Sequence, residues 1–329
     1  MEFRIARRTV LKAGAALAAS QALPAWTQDK PRLRLTGVYQ EKDIRFETFR
    51  RLAKDVEADF RIEQYLMGSL FKQGAELVAV QRDNLEMANI APADVTKQIP
   101  AWSVLTSAYL FRDANHLLAF FGSDVGAQMK KMAEDQLKIK ILGPVFYGTR
   151  QVGLKPKKKI TTPADMAGTK LRMPAGDAWQ LMGRALGANP TPIAFPEVYT
   201  ALQTGAVDGQ DNPLPIVQAN KFYEVMSQIV LTSHWVAYDL IIMNLKTWNN
   251  MGPAKQKTFQ AATDRALAYC TQEHLKREAE LAESLKKEGL QFSTPDINAF
   301  RAHAQKVYLA SDEAKAWPPG VLEKIAAIK

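Results

Sequence analysis

Among the residues of this chain whose type suits ligand chemistry, Arg172 has the most informative neighbours. It lies in KLRMP at 170–174. Alternation along that segment puts Leu171 and Met173 on one side of a strand and Arg172 on the other. An Arg projecting from a strand near its C-terminal end stands where α/β folds hold ligands. Its planar fork donates two parallel hydrogen bonds, which matches a carboxylate. The same residue also suits a surface ion pair, and its type does not decide between the two. Arg150, in YGTRQ at 147–151, opens another strand-like run. Asn212 lies in DGQDNP at 208–213, a stretch whose turn chemistry alone would favour Asn. Phe195 precedes Pro196 and has the character of a core residue.

Signatures of catalysis are missing. There is no GxSxG elbow, no GxxxxGK[ST] loop and no GxGxxG after the first strand. The chain has 34 Asp and Glu, enough to make chance acid pairs plentiful. The four His, at 116, 234, 274 and 303, lack metal-ligand spacing such as HExxH. Cys270 is the single cysteine, so an intramolecular disulfide and a cysteine-based zinc or iron–sulfur site are ruled out. It falls inside a helical stretch and reads as buried packing. No catalytic residue, metal ligand or cofactor is expected.

The elements that must position these residues alternate between strand and helix signals. Residues 32–38, 60–65 and 85–90 read as strands, with helical spacing at 44–56 and 74–82 between them. Another helix falls within 117–137. A strand at 139–147 carries Pro144 near its middle, so it is broken or at an edge. A second run holds strands at 150–154, 170–173, 191–195 and 207–210. Asp177 is placed to cap one helix there, Pro196 to open the next and Gly205 to close it. Apolar strands at 229–232 and 238–243 are separated by 233–237. Nothing interrupts a helical pattern from 253 to 287, roughly 50 Å at 1.5 Å per residue, long enough to brace two lobes. This order predicts an α/β fold with mainly parallel sheets, and 329 residues suit two domains.

Charge narrows the setting. With 43 Lys and Arg, the chain carries a formal +9. The basic residues are dispersed among acids, apart from Lys155, Lys157, Lys158 and Lys159, so nucleic acid is not expected as a partner. No run approaches about 18 apolar residues, the length of a membrane span. The first 25 or so residues read as a secretory signal: Arg4, Arg7, Arg8 and Lys12, then an Ala-rich apolar run at 13–19, then small residues up to Ala22 or Ala25. The RRTVLK segment at 7–12 resembles a twin-arginine export signal, with Ala6 and Val10 departing from the usual pattern, so ordinary Sec export stays open. Cleavage would remove four basic residues and Glu2, leaving +6, a field suited to small anions.

From 168 to 225 the chain resembles the solute-binding proteins of TRAP (tripartite ATP-independent periplasmic) transporters, dicarboxylate type. The matching text is KLRMP at 170–174, GANPTPIAF at 187–195, EVYTALQTGAVDGQ at 197–210, NPL at 212–214 and KFYEV at 221–225, with GTRQ at 148–151 upstream. The export signal, the length and the late long helix also fit. The resemblance implies two α/β lobes joined by hinge strands, with lobe I formed by 26–149 plus 238–277 and lobe II by 150–237 plus 278–329. It implies a ligand cleft between them, where Arg172 makes the main bidentate contact with a carboxylate. Arg150 would be a second cationic contact, Asn212 a hydrogen-bonding partner and Phe195 an apolar wall. Tyr39 and Trp235 would border the cleft and give it an aromatic lining that favours a smaller or less polar acid.

Sialic-acid binders of the family carry a Glu where this chain has Ala91, which disfavours a polyhydroxylated, amine-bearing ligand. A four-carbon dicarboxylate, a hydroxy acid, a keto acid, an aromatic acid and a sugar acid all remain open. The implied function is periplasmic capture of an organic acid and delivery to TRAP-type membrane subunits. An exported enzyme on a similar scaffold, or a ligand sensor, are the rival readings.

Overall fold

The computed structural model describes residues 30–329; the expected export signal lies outside them. Nine strands make one mixed sheet: β1 (Arg32–Thr36), β2 (Arg61–Tyr65), β3 (Met87–Ile90), β4 (Ile139–Leu154), β5 (Lys170–Met173), β6 (Asn189–Pro192), β7 (Gly209–Asn212), β8 (Gln228–Asn244) and β9 (Gln291–Ser293). Their order is β2-β1-β3-β8-β4-β7-β5-β6, with β9 beside β8. The α/β architecture is as expected, but the sheet is continuous. β1–β3 form its first end, β5–β7 its second, and β4 and β8 run through both. Pairing within each end is parallel. The central β4–β8 ladder is antiparallel, as are its junctions with β3 and β7.

The two central strands correct the sequence reading, which broke each of them in two. β4 has 16 residues and β8 has 17. Their ladder shifts register between Phe146 and Gly148 and again between Arg150 and Val152. Gly148 has φ 118°, and a Cβ there would meet Pro213 at 2.7 Å. Ser233 has φ 43°. Bulges of this kind disturb the alternation that marks a strand while leaving it continuous. Pro144 pairs with Leu240 beside another register shift. Until Gln151, β4 has a strand on one side only, so the missing N–H is tolerated.

Helices cover the sheet. Ile44–Asp55 is capped by the Asp43 carboxylate, which accepts from the Arg45 N–H at 2.9 Å. The long helix Gly252–Lys287 packs on Ile44–Asp55, β4, helix Leu214–Ala219 and β9, and so touches both ends of the sheet. Cys270 on its inner face is fully buried, with its thiol pushed up to about 12 by burial. It donates to the Phe146 carbonyl at 3.4 Å. Among the described residues no helix is long and apolar enough to cross a membrane.

Candidate functional site

A cavity opens between the two ends of the sheet. The second end lines it with Arg150, Arg172, Pro174, Trp179, Phe195 and Asn212. The first end contributes Gln73, Glu76, Asn89, Ala91 and Asp94; Arg45, Tyr147 and Asp239 complete it.

Arg172 is on β5, an inner strand between β6 and β7. Its Nε donates to the Ile193 carbonyl at 2.8 Å, just past the end of β6. The neighbouring main chain is fixed by the Ile193 N–H bond to Met173. The guanidinium is 1% exposed, and its Nη2 has no hydrogen-bond partner. No carboxylate of the described residues pairs with it. Burial pulls its pKa down to about 9, with Arg150 adding repulsion and Asp211 opposing. A buried cation without a counterion is costly, and this one lines the cavity. Phe195 lies against it, the guanidinium carbon 5.8 Å from the ring centroid.

Arg150 lines the same cavity, but its charge is already met. Nε and Nη2 reach the two carboxylate oxygens of Asp211 at 2.6 and 2.8 Å, and Nη1 donates to the Tyr147 hydroxyl at 3.2 Å. Asp211 is completely buried, and Arg150 and His234 hold its carboxyl well below the usual range against the penalty of burial. His234 Nε2 sits 3.1 Å from it. The Trp179 ring stacks beneath Arg150 at 5.1 Å. Asn212 ends β7, where Pro213 stops the strand; its Nδ2 donates to Gln210 Oε1 at 2.6 Å.

Two expected residues are not in the lining. Tyr39 is buried in the first end's core, 5.5 Å from Phe49, with its hydroxyl bonded to Gln64 at 3.0 Å. Gly37 makes room for it, since a Cβ there would lie 2.4 Å from the Tyr39 ring. Trp235 is buried behind Trp179, edge to face at 5.3 Å. The aromatic contacts in the cavity come from Trp179, Tyr147 and Phe195, and much of the rest of the lining is polar. Ala91 does line it.

The polar wall from the first end was not read from the sequence. Asn89 Nδ2 donates to Asp239 at 2.6 Å, leaving Asn89 Oδ1 buried and unpartnered. Asp239 also accepts from Arg45 at 2.7 Å, while Arg45 holds Asp43 with two further bonds. Glu76, 2% exposed, accepts from the Gly74 N–H at 2.6 Å. Burial, and then nearby Asp94, push its carboxyl up to about 7. These residues come from short segments whose functional neighbours are distant in sequence, so spacing gave no signal. Among the described residues no group of His, Cys, Asp or Glu is arranged to hold a metal.

Side chains of the first end reach the second across the cleft. Gln73 Oε1 accepts from the Phe195 N–H at 2.8 Å. Gln40 donates to the Ala219 carbonyl and, at 3.0 Å, to Asn220 Oδ1.

A cleft between two sheet ends with an unneutralised buried cation is the layout of a ligand-binding protein. The chain belongs to the bacterial extracellular solute-binding proteins, family 7, whose model matches residues 37–314. It is a solute-binding protein, of an extracytoplasmic family, and not an enzyme. A sialic acid-binding periplasmic protein of Vibrio cholerae is 33% identical over 230 residues, 70% of each chain. A TRAP periplasmic solute-binding protein of Roseobacter denitrificans, solved with 3-deoxy-D-manno-oct-2-ulosonic acid, superposes with a TM-score of 0.90 at 40% identity. That alignment covers 92% of this chain and all of the other. A second protein from that organism, solved with L-galactonate, gives 0.82 at 25% identity over 91% of this chain and 99% of its own.

Proposed function

We propose that this protein captures a small organic acid in the cleft and delivers it to a TRAP-type membrane transporter. The observation that carries this reading is the Arg172 guanidinium, buried, unpaired and lining a cavity. An acid's carboxylate on Nη1 and Nη2 restores the missing counterion. Asn212 and Tyr147 stand beside that position, and Phe195 and Trp179 wall it. Arg150 contributes through Asp211, by holding β4 and β7 together, as much as through its own charge. Sugar acids lead among the candidate ligands. The relatives solved with such acids support this, and so does the polar wall across the cavity, which replaces the aromatic one expected from Tyr39 and Trp235.

Lobe closure is the proposed mechanism, with β4 and β8 as the hinge strands between lobes of about 26–149 plus 238–277 and 150–237 plus 278–329. A ligand drives closure only through contacts made in the closed form. Gln73 to Phe195 and Gln40 to Asn220 are bonds of that form. The proposed setting is the periplasm, reached through an export signal in the first 25 residues, of twin-arginine or Sec type. A thermal-shift screen of organic acids on purified protein tests the function. Stabilisation by sugar acids is expected, and no shift from any acid would overturn it.

A further inference from the structure

We infer that the cleft selects acids with a single carboxylate and a hydroxyl-bearing tail, and turns away acids with a second carboxylate at the far end. This rests on the reading above, in which the ligand's carboxylate lies on Arg172. It follows from what the remaining lining offers.

The cations come first. Arg150 is matched by Asp211 and Arg45 by Asp43 and Asp239. Arg172 is therefore the one arginine of the lining without a carboxylate among the described residues, and it supplies the charge for one anionic group only. The wall from the first end has the opposite character. Asn89 is oriented by its bond to Asp239, so what it turns to a ligand is an unpartnered carbonyl oxygen. Glu76, Asp94 and Asp239 line the cavity as carboxyl groups. Lys97, which pairs with Asp94 at 2.8 Å, is not part of the lining. A sugar hydroxyl donates a hydrogen bond to such a wall and satisfies Asn89 Oδ1. A carboxylate brings only acceptors. It also adds negative charge beside Glu76, which forms no ion pair among the described residues, so either it or Glu76 would have to take up a proton.

The test is calorimetric titration of the purified full-length chain, freed of ligand by dialysis, with acids differing at the far end only. D-Gluconate and D-galactonate each carry a terminal hydroxyl where D-glucarate and D-galactarate carry a carboxylate; 3-deoxy-D-manno-oct-2-ulosonic acid is a further monoacid. The tightest monoacid is expected to bind at least tenfold more tightly than the tightest diacid. In Glu76→Gln that ratio should shrink severalfold; Asp94→Asn repeats the test should the first variant fold poorly. Equal affinity for diacids overturns the inference and leaves acid capture intact. A ratio unchanged in the folded variants overturns the role of the wall. Failure of every acid to bind overturns both readings.

Discussion

Replacing Arg172 with Met should abolish ligand binding and raise the stability of the empty protein. Burial pulls the guanidinium down to about 9 from its ordinary value. At 1.36 kcal/mol per tenfold change, that fall corresponds to roughly 5 kcal/mol of uncompensated desolvation, an upper bound because the surroundings relax and because opening of the empty cleft returns water to the guanidinium. Met keeps most of the side-chain volume against Phe195. It forfeits the bond from Nε to the Ile193 carbonyl, and the orphaned carbonyl costs about 1–3 kcal/mol. The balance is a net gain of about 1–3 kcal/mol. Each kcal/mol moves the Tm of a chain near this size by about 2–4 °C. Scanning calorimetry on ligand-free protein should therefore find Arg172→Met melting about 2–12 °C above wild type. With acid at a hundredfold excess over Kd, wild type gains about 2.7 kcal/mol and the variant nothing. A variant that melts well below wild type when empty, or keeps the ligand shift, refutes the reasoning.

Asp211→Asn leaves the buried Arg150 without its counterion and should cost about 3–5 kcal/mol, read by urea denaturation. Glu278 is held up to about 7 by burial while it accepts from the Thr149 N–H at the bulge in β4. The folded state therefore binds more protons than the unfolded state between the ordinary glutamate value and 7. The stability it contributes is present at low pH and lost as pH rises through that window, by at most about 3 kcal/mol. Glu278→Gln should flatten that part of the wild-type stability curve, measured by denaturation at pH 5 and 8. Gly148→Ala places a Cβ 2.7 Å from Pro213 at φ 118°, and should cost about 1–3 kcal/mol in the same assay. Gln73→Ala removes a cross-cleft bond worth about 0.5–1.5 kcal/mol, so calorimetry should find acid bound about 2- to 12-fold more weakly.

Local chemistry made part of this molecule legible in advance. The strand carrying Arg172, the left-handed stop at Gly205 and the long helix Gly252–Lys287 follow from alternation, glycine and uninterrupted periodicity. The bulged β4 and β8 were split, because Gly148 and Ser233 interrupt alternation without interrupting the ladder. The place of Arg172 and Asn212 beside strand ends is legible in the sequence, and both line the cavity. Tyr39 and Trp235 were misplaced because an aromatic after a strand suits a cleft and a core equally, and only the packing around Gly37 and Trp179 separates the two. The acceptor wall of Asn89, Glu76 and Asp94 had no sequence signal. Its character depends on which partners Arg45, Asp239 and Lys97 take in three dimensions.

The central claim is that a ligand's carboxylate is the counterion of Arg172. Its most direct test is calorimetric titration of one acid, 3-deoxy-D-manno-oct-2-ulosonic acid or whichever sugar acid binds more tightly in the screen, against its methyl ester. The ester keeps every hydroxyl, loses the charge and adds one methyl group. Wild type should bind the acid and show no measurable heat with the ester, and Arg172→Lys should bind the acid at least tenfold more weakly than wild type. An ester that binds as tightly as the acid would contradict the account.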